Sequence, residues 1–110
     1  MGAVARQLRE EFNRACLTRD GHRCVLCGRS DVKLDVHHIW PRKDMPNGGY
    51  VPENGITLCD DGTHGSCHWK AEQWFVDGST DPGYDPESLY ARIGSSLDIA
   101  HQAADRLHAR

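Results

Sequence analysis

The sequence predicts a small α+β fold: a helix, a ββα centre, then a helical tail, within 110 residues. Three observations carry that reading. An apolar stripe at three- and four-residue spacing opens the chain. Two short runs rich in β-branched and apolar residues follow, split by a Pro/Gly-rich loop. Two cysteine pairs bracket those runs.

Residues 4–19 form the first helix, with Leu8, Phe12 and Ala15/Cys16 on one face and Arg and Glu between them. Asp20-Gly21 ends it, because glycine accepts the left-handed backbone of a helix exit. Cys24-Val25-Leu26-Cys27-Gly28 is a tight turn, and residues 33–40 read as a strand holding two histidines. Residues 41–55 form a loop marked by Pro41, Pro46, Asn47-Gly48-Gly49 and Pro52. Residues 56–58 form a short strand, 60–66 a Gly/Asp turn, and 67–76 a helix stopped at Asp77-Gly78. Asp85 before Pro86 caps a further helix. Ser95 or Ser96 caps a last one, with Leu97, Ala100, Ala104 and Leu107 along one face. The chain reads as one domain, with no repeat and no low-complexity tract.

Composition limits the function classes. Only 20 residues are Leu, Ile, Val or Phe, so the core is lean and would benefit from a metal or disulfide staple. No apolar run is long enough to span a bilayer, and the first eleven residues lack the apolar stretch of a signal peptide. A reducing cytoplasm is the expected location, where cysteines bind metal more often than they pair. The net charge of −3 hides an asymmetry: residues 1–43 sum to +4 and residues 44–110 to −7. The basic half suits a polyanion, or is simply a solvated helix surface.

Cys24/Cys27 and Cys59/Cys67 are the pairs. Zn2+ prefers four thiolates in a tetrahedron, and a two-residue gap lets one turn place two sulfurs on one ion. A structural four-cysteine zinc knuckle is therefore favoured over disulfides or buried thiols. The seven-residue gap of the second pair is long, and His64 inside it is a candidate to replace one cysteine. Cys16, on the apolar side of the first helix, reads as a small core residue.

Between the pairs lies Leu34-Asp35-Val36-His37-His38-Ile39. Neighbouring strand residues face opposite ways, so a regular strand would not bring His37 and His38 to one centre without a bend or bulge. Asn54 follows the loop, and His68 opens the helix beside Cys67.

These blocks together resemble the His-Asn-His (HNH) endonucleases: Cys24-x2-Cys27, residues 35–39, Asn54 to Cys59, and Cys67-His68. They are similar in particular to the small zinc-containing HNH proteins of bacteriophages. The resemblance covers about residues 20–76 and neither flank. It implies a ββα-metal (His-Me finger) core with a structural zinc and a separate catalytic divalent ion. By block matching it implies His37 and His68 as ligands of that ion, His38 as general base, and Asn54 as the central catalytic-site Asn. Two departures stand out: the long Cys59–Cys67 gap, and Glu72 where some members carry a further histidine. Glu72 is left as either a water-mediated ligand or a solvated residue. Proteins of this kind and size are associated with phage DNA packaging, which implies the terminase large subunit as a partner.

The residue types suit phosphodiester hydrolysis. A neutral imidazole with an ordinary pKa of about 6.5 can take a proton from water at neutral pH. An ion on His37 and His68 stabilises the phosphate and the leaving oxygen. A carbonyl on the other ring nitrogen would orient His38, and Asn54 is alternatively a brace for the loop carrying that carbonyl. Mg2+ or Mn2+ is expected, with Ni2+ or Co2+ able to substitute on nitrogen ligands. Arg42, Lys43, Arg23 and Arg29 are the expected DNA contacts, with low sequence specificity because no base-reading helix stands out. Trp40, Trp69 and Trp74 are expected in the core. The competing reading is a non-catalytic zinc module that binds DNA or protein.

Overall fold

Helix α1 (Ala3–Arg19) leads into the cysteine-bearing turn, followed by strand β1 (Leu34–His38), a looped segment, strand β2 (Gly55–Cys59) and helix α2 (Cys67–Asp77). Helices α3 (Pro86–Arg92) and α4 (Leu97–Asp105) complete the chain before a final tight turn, Arg106–Ala109. This is a computed structural model, and it describes residues 3–109. The fold is the small α+β arrangement that the sequence predicts, with β1 shorter than the expected 33–40 and β2 longer by one residue at each end than the expected 56–58.

The two strands are antiparallel, with Val36 opposite Thr57, His37 opposite Ile56 and His38 opposite Gly55. β2 is buried along its whole length, which fits its packing against α1 on one side and α2 on the other. Ile39, Ile56, Leu58, Leu89 and Ala100 anchor the core. Cys16 is also fully buried, as its helix face predicts.

A bolt at its C-terminus fastens α1 to β2. Arg19 donates to the Pro52 and Gly55 carbonyls at 2.8 and 2.7 Å and pairs with Asp20 at 2.7 Å. Asp20 in turn accepts from the Thr57 backbone N–H at 3.0 Å. Burial would raise the Asp20 carboxyl, but the bonds from Arg19 and Thr57 outweigh it and hold the pKa below the usual carboxylate range. Gly55 permits the close approach: a Cβ there would stand 2.6 Å from the Phe12 ring and 2.7 Å from the Cys16 sulfur.

The loop between the strands is less irregular than its Pro/Gly content suggests. It coils into three 3-10 turns, Arg42–Asp44, Pro46–Gly49 and Pro52–Asn54. α4 and the link before it hold it from outside: Asn47 donates to the Ala104 carbonyl at 2.9 Å, and Ser95 to the Glu53 carbonyl at 2.8 Å. Side-chain caps start the last three helices, with Ser66, Asp85 and Ser96 accepting from the N–H groups of Trp69, Ser88 and Ile99.

Candidate active site

The four knuckle cysteines converge. Gly28, at φ +80°, closes the turn that presents Cys24 and Cys27, while Cys59 ends β2 and Cys67 begins α2. One sulfur from each lies within 4.8 Å of the other three, and Cys27 and Cys59 are 3.7 Å apart. Four sulfurs each about 2.3 Å from one zinc would stand about 3.8 Å from one another. All are free thiols, at tetrahedron-edge spacing and not disulfide spacing, so the donor set fits zinc. Burial would raise the Cys24 thiol, but backbone N–H groups of Cys27, Cys59 and Leu26 overcome that and draw its pKa down, whereas burial holds the Cys59 and Cys67 thiols above the ordinary value.

His64 does not belong to this cluster. It is exposed and stacked on Trp69, with ring centroids 4.1 Å apart. The long gap that made it a candidate is a self-braced turn: Asp61 accepts from the Thr63 backbone N–H at 2.9 Å and from its hydroxyl at 2.6 Å.

A second convergence lies where β1 meets α2. His37 is 2% exposed and its ring centroid is 5.2 Å from that of His68. Glu72, one helical turn beyond His68, places a carboxylate oxygen 3.6 Å from His37 Nδ1 and the other 3.9 Å from His68 Nε2. One donor atom from each of His37, His68 and Glu72 falls within 4.8 Å of the other two. Donors about 2.1 Å from one octahedral ion would stand about 3 to 4 Å apart, so small side-chain rotations close this set around a cation. Burial, with the charges of His68 and His38, pushes the His37 imidazole down to about 3. It is therefore neutral at physiological pH, the form that ligates.

His38 lies next to this group with no break in the strand. The register runs unbroken through both histidines, yet both line the same open cleft of about 380 Å³, with Arg42, Lys43, His68 and Glu72. The expected bulge is absent because β1 has only β2 beside it, ends at His38, and leaves its outer edge open to the cleft. The His38 ring packs on Phe12 at 4.6 Å and on the edge of Tyr50 at 5.0 Å. Burial and then the Arg42 charge push its pKa down to about 4, against a hydrogen bond to the Gly48 backbone that raises it. Nε2 has no partner among the described residues.

Asn54 is fully buried and is not among the residues lining the cleft. Its Oδ1 accepts from the Trp40 N–H at 3.1 Å and the Tyr90 hydroxyl at 2.6 Å. Its Nδ2 donates to the Trp40 carbonyl at 3.1 Å and the Gly49 carbonyl at 3.3 Å. These four bonds tie Asn54 to Trp40, Gly49 and Tyr90, an arrangement that matches the bracing alternative to a reacting role.

The four expected DNA contacts separate. Arg42 and Lys43 line the cleft. Arg29 is instead engaged by Asp61 at 3.2 Å and Asp31 at 3.5 Å, and Arg23 is exposed and borders neither histidine cavity. A second cavity, which shares Val36, His38, Arg42 and His68 with the first, adds Arg9 and Asn13 of α1, whose place beside the strand no local pattern in the chain signals.

Residues 24–73 match the family model described as HNH endonuclease. Over that segment, a little under half of the chain, the sequence is similar to the HNH endonuclease family. Neither a curated protein nor a solved structure matches the chain. The HNH segment holds all four knuckle cysteines, His37, His38, Asn54, His68 and Glu72, and excludes α1, α3 and α4. Among the described residues no helix is long and apolar enough to cross a membrane.

Proposed function

We propose that this HNH protein is a metal-dependent DNA endonuclease of low sequence specificity, with His38 as general base. The observation that carries the reading is the unpartnered Nε2 of His38 beside the His37–His68–Glu72 donor set. A buried acceptor left unpaired costs about 1–3 kcal/mol, and a water in the adjoining cleft would satisfy it. Such a water would stand where the nucleophile is needed.

The Gly48 backbone beside the other ring nitrogen would favour the N–H there, leaving the Nε2 lone pair to take the proton. Phe12 and Tyr50 keep the ring from turning. His37, His68 and Glu72 would hold Mg2+ or Mn2+, with Ni2+ or Co2+ as substitutes. When bound, that ion supplies Lewis-acid stabilisation of the phosphate and the departing 3′-oxygen. Arg42, held by Tyr50 at 2.9 Å, and Lys43 neutralise backbone phosphates. Cys24, Cys27, Cys59 and Cys67 would hold a structural zinc, tying the end of β2 and the start of α2 to the turn 24–27. We assign the protein to phage DNA processing in the host cytoplasm, with the terminase large subunit as partner, on the strength of its resemblance to phage HNH proteins.

Plasmid nicking across a divalent-metal series tests the reading. His38→Ala is expected to lower the rate by about 10²–10⁴, the usual contribution of a general base, with zinc content and melting temperature unchanged. Equal nicking by variant and parent would mean contamination or a different base, and no nicking by the parent with any ion would favour the zinc-module reading instead.

A further inference from the structure

His68 has two faces. Its Nε2 points toward Glu72 and the His37 cleft. Its Nδ1 points away, toward two carboxylates: Asp60 Oδ2 accepts from it at 3.4 Å, and Asp35 Oδ2 stands 3.3 Å from it. The two acids come from β1 and from the residue just past β2. Asp35 lies on β1, two residues before His37 and so on the same sheet face. Asp60 follows β2, and its N–H is bonded to the Lys33 carbonyl at 2.9 Å. Both are only partly exposed, with 28% of each side chain accessible.

A neutral imidazole carries one N–H. Two acceptors crowded against Nδ1 place the hydrogen there and leave the lone pair on Nε2, facing the donor set. We infer that Asp35 and Asp60 are positioning residues for the catalytic ion: together they fix His68 in its Nδ1–H tautomer and aim Nε2 at the cleft. The carboxylate behind a ligating imidazole also raises its basicity. The inference rests on the proposed nuclease reading only in calling the ion catalytic; the tautomer itself does not depend on activity.

Two readouts test it, both on the zinc-loaded full chain with zinc quantified by mass spectrometry. The first is the 15N shift pattern of the His68 ring at pH 8 without added divalent ion. The second is Mn2+ affinity measured by titration calorimetry. Asp35→Ala/Asp60→Ala is expected to convert His68 to a mixed tautomer and to weaken Mn2+ binding by about 10–100-fold, the usual cost of losing such a partner. Asp35→Asn/Asp60→Asn removes the charge but keeps a carbonyl acceptor on each residue, and is expected to retain the tautomer and most of the affinity.

Three results overturn the inference. One is an unchanged Nδ1–H tautomer in the double alanine variant. Another is an asparagine pair as weak as the alanine pair, which would make the effect one of charge alone. The last is a second Mn2+ equivalent lost on substitution, which would make the two acids a cation site of their own. If the parent bound no Mn2+ at all, the metal reading would fail while the ring spectrum still decided the tautomer.

Discussion

Asn54→Ala is the perturbation that separates a brace from a reacting group. The amide is fully buried and makes four hydrogen bonds, to both polar groups of Trp40, to the Gly49 carbonyl and to the Tyr90 hydroxyl. A typical intramolecular bond contributes about 1 kcal/mol net, and partners left buried without a replacement add to the loss. Truncation should therefore cost about 3–4 kcal/mol. With a urea dependence of about 1.5 kcal/mol/M for a domain this size, the unfolding midpoint of the zinc-loaded protein should fall by about 2 M. Tryptophan fluorescence follows the transition. Tyr90→Phe is the internal control: it removes one bond and leaves Asn54 its Trp40 and Gly49 partners, so about 1 kcal/mol is expected. A shift under about 0.5 M for Asn54→Ala would refute the bracing argument.

Removal of zinc should unfold the centre of the molecule, because a core this lean is held by the four-cysteine cluster. Circular dichroism with a chelator, and then with zinc restored, measures that loss and its recovery. Gly55→Ala would drive a methyl to 2.6 Å from Phe12 and 2.7 Å from Cys16. It should lower stability by about 1–3 kcal/mol and displace Phe12 from His38, seen as a change in the His38 ring shifts. The Asp20 carboxyl has a folded pKa below its unfolded value, so its stabilisation is complete above about pH 4 and disappears as pH falls through the folded pKa. The difference in urea midpoint between the parent and Asp20→Asn should then be constant from about pH 8 to 5 and shrink below about pH 4.

The order of elements is legible because each signal is local: helical spacing in 4–19, punctuation by Pro and Gly in 41–55, and cysteines at the ends of turns. The cysteine cluster is legible from the spacing of its members, whereas the grouping of His37 with His68 rests on the resemblance to HNH proteins, because strand alternation alone sets neighbouring histidines on opposite faces. What the chain does not disclose are contacts between distant side chains. Arg29 reads as a free cation until the turn 61–63 brings Asp61 to it. Tyr90 meets Asn54 across 36 residues, and no periodicity links the two. The tryptophans show the same limit: expected in the core, all three are only partly buried, with Trp69 stacked on exposed His64 and Trp40 edge-on to Phe75. Asp35 does carry a local signal, its two-residue offset from His37, though only the fold shows what it faces.

The segment that defines the family is not a self-sufficient unit here. Phe12 covers Gly55 and seats His38, Arg19 and Asp20 latch the N-terminal helix to β2, and Tyr90 supplies a donor to Asn54. Cutting the chain back to residues 24–73 would strip the sheet of one wall and leave that amide short of a proton. A minimal fragment made for transplantation into another protein must carry both flanking helical regions with it, or supply substitutes for those three contacts.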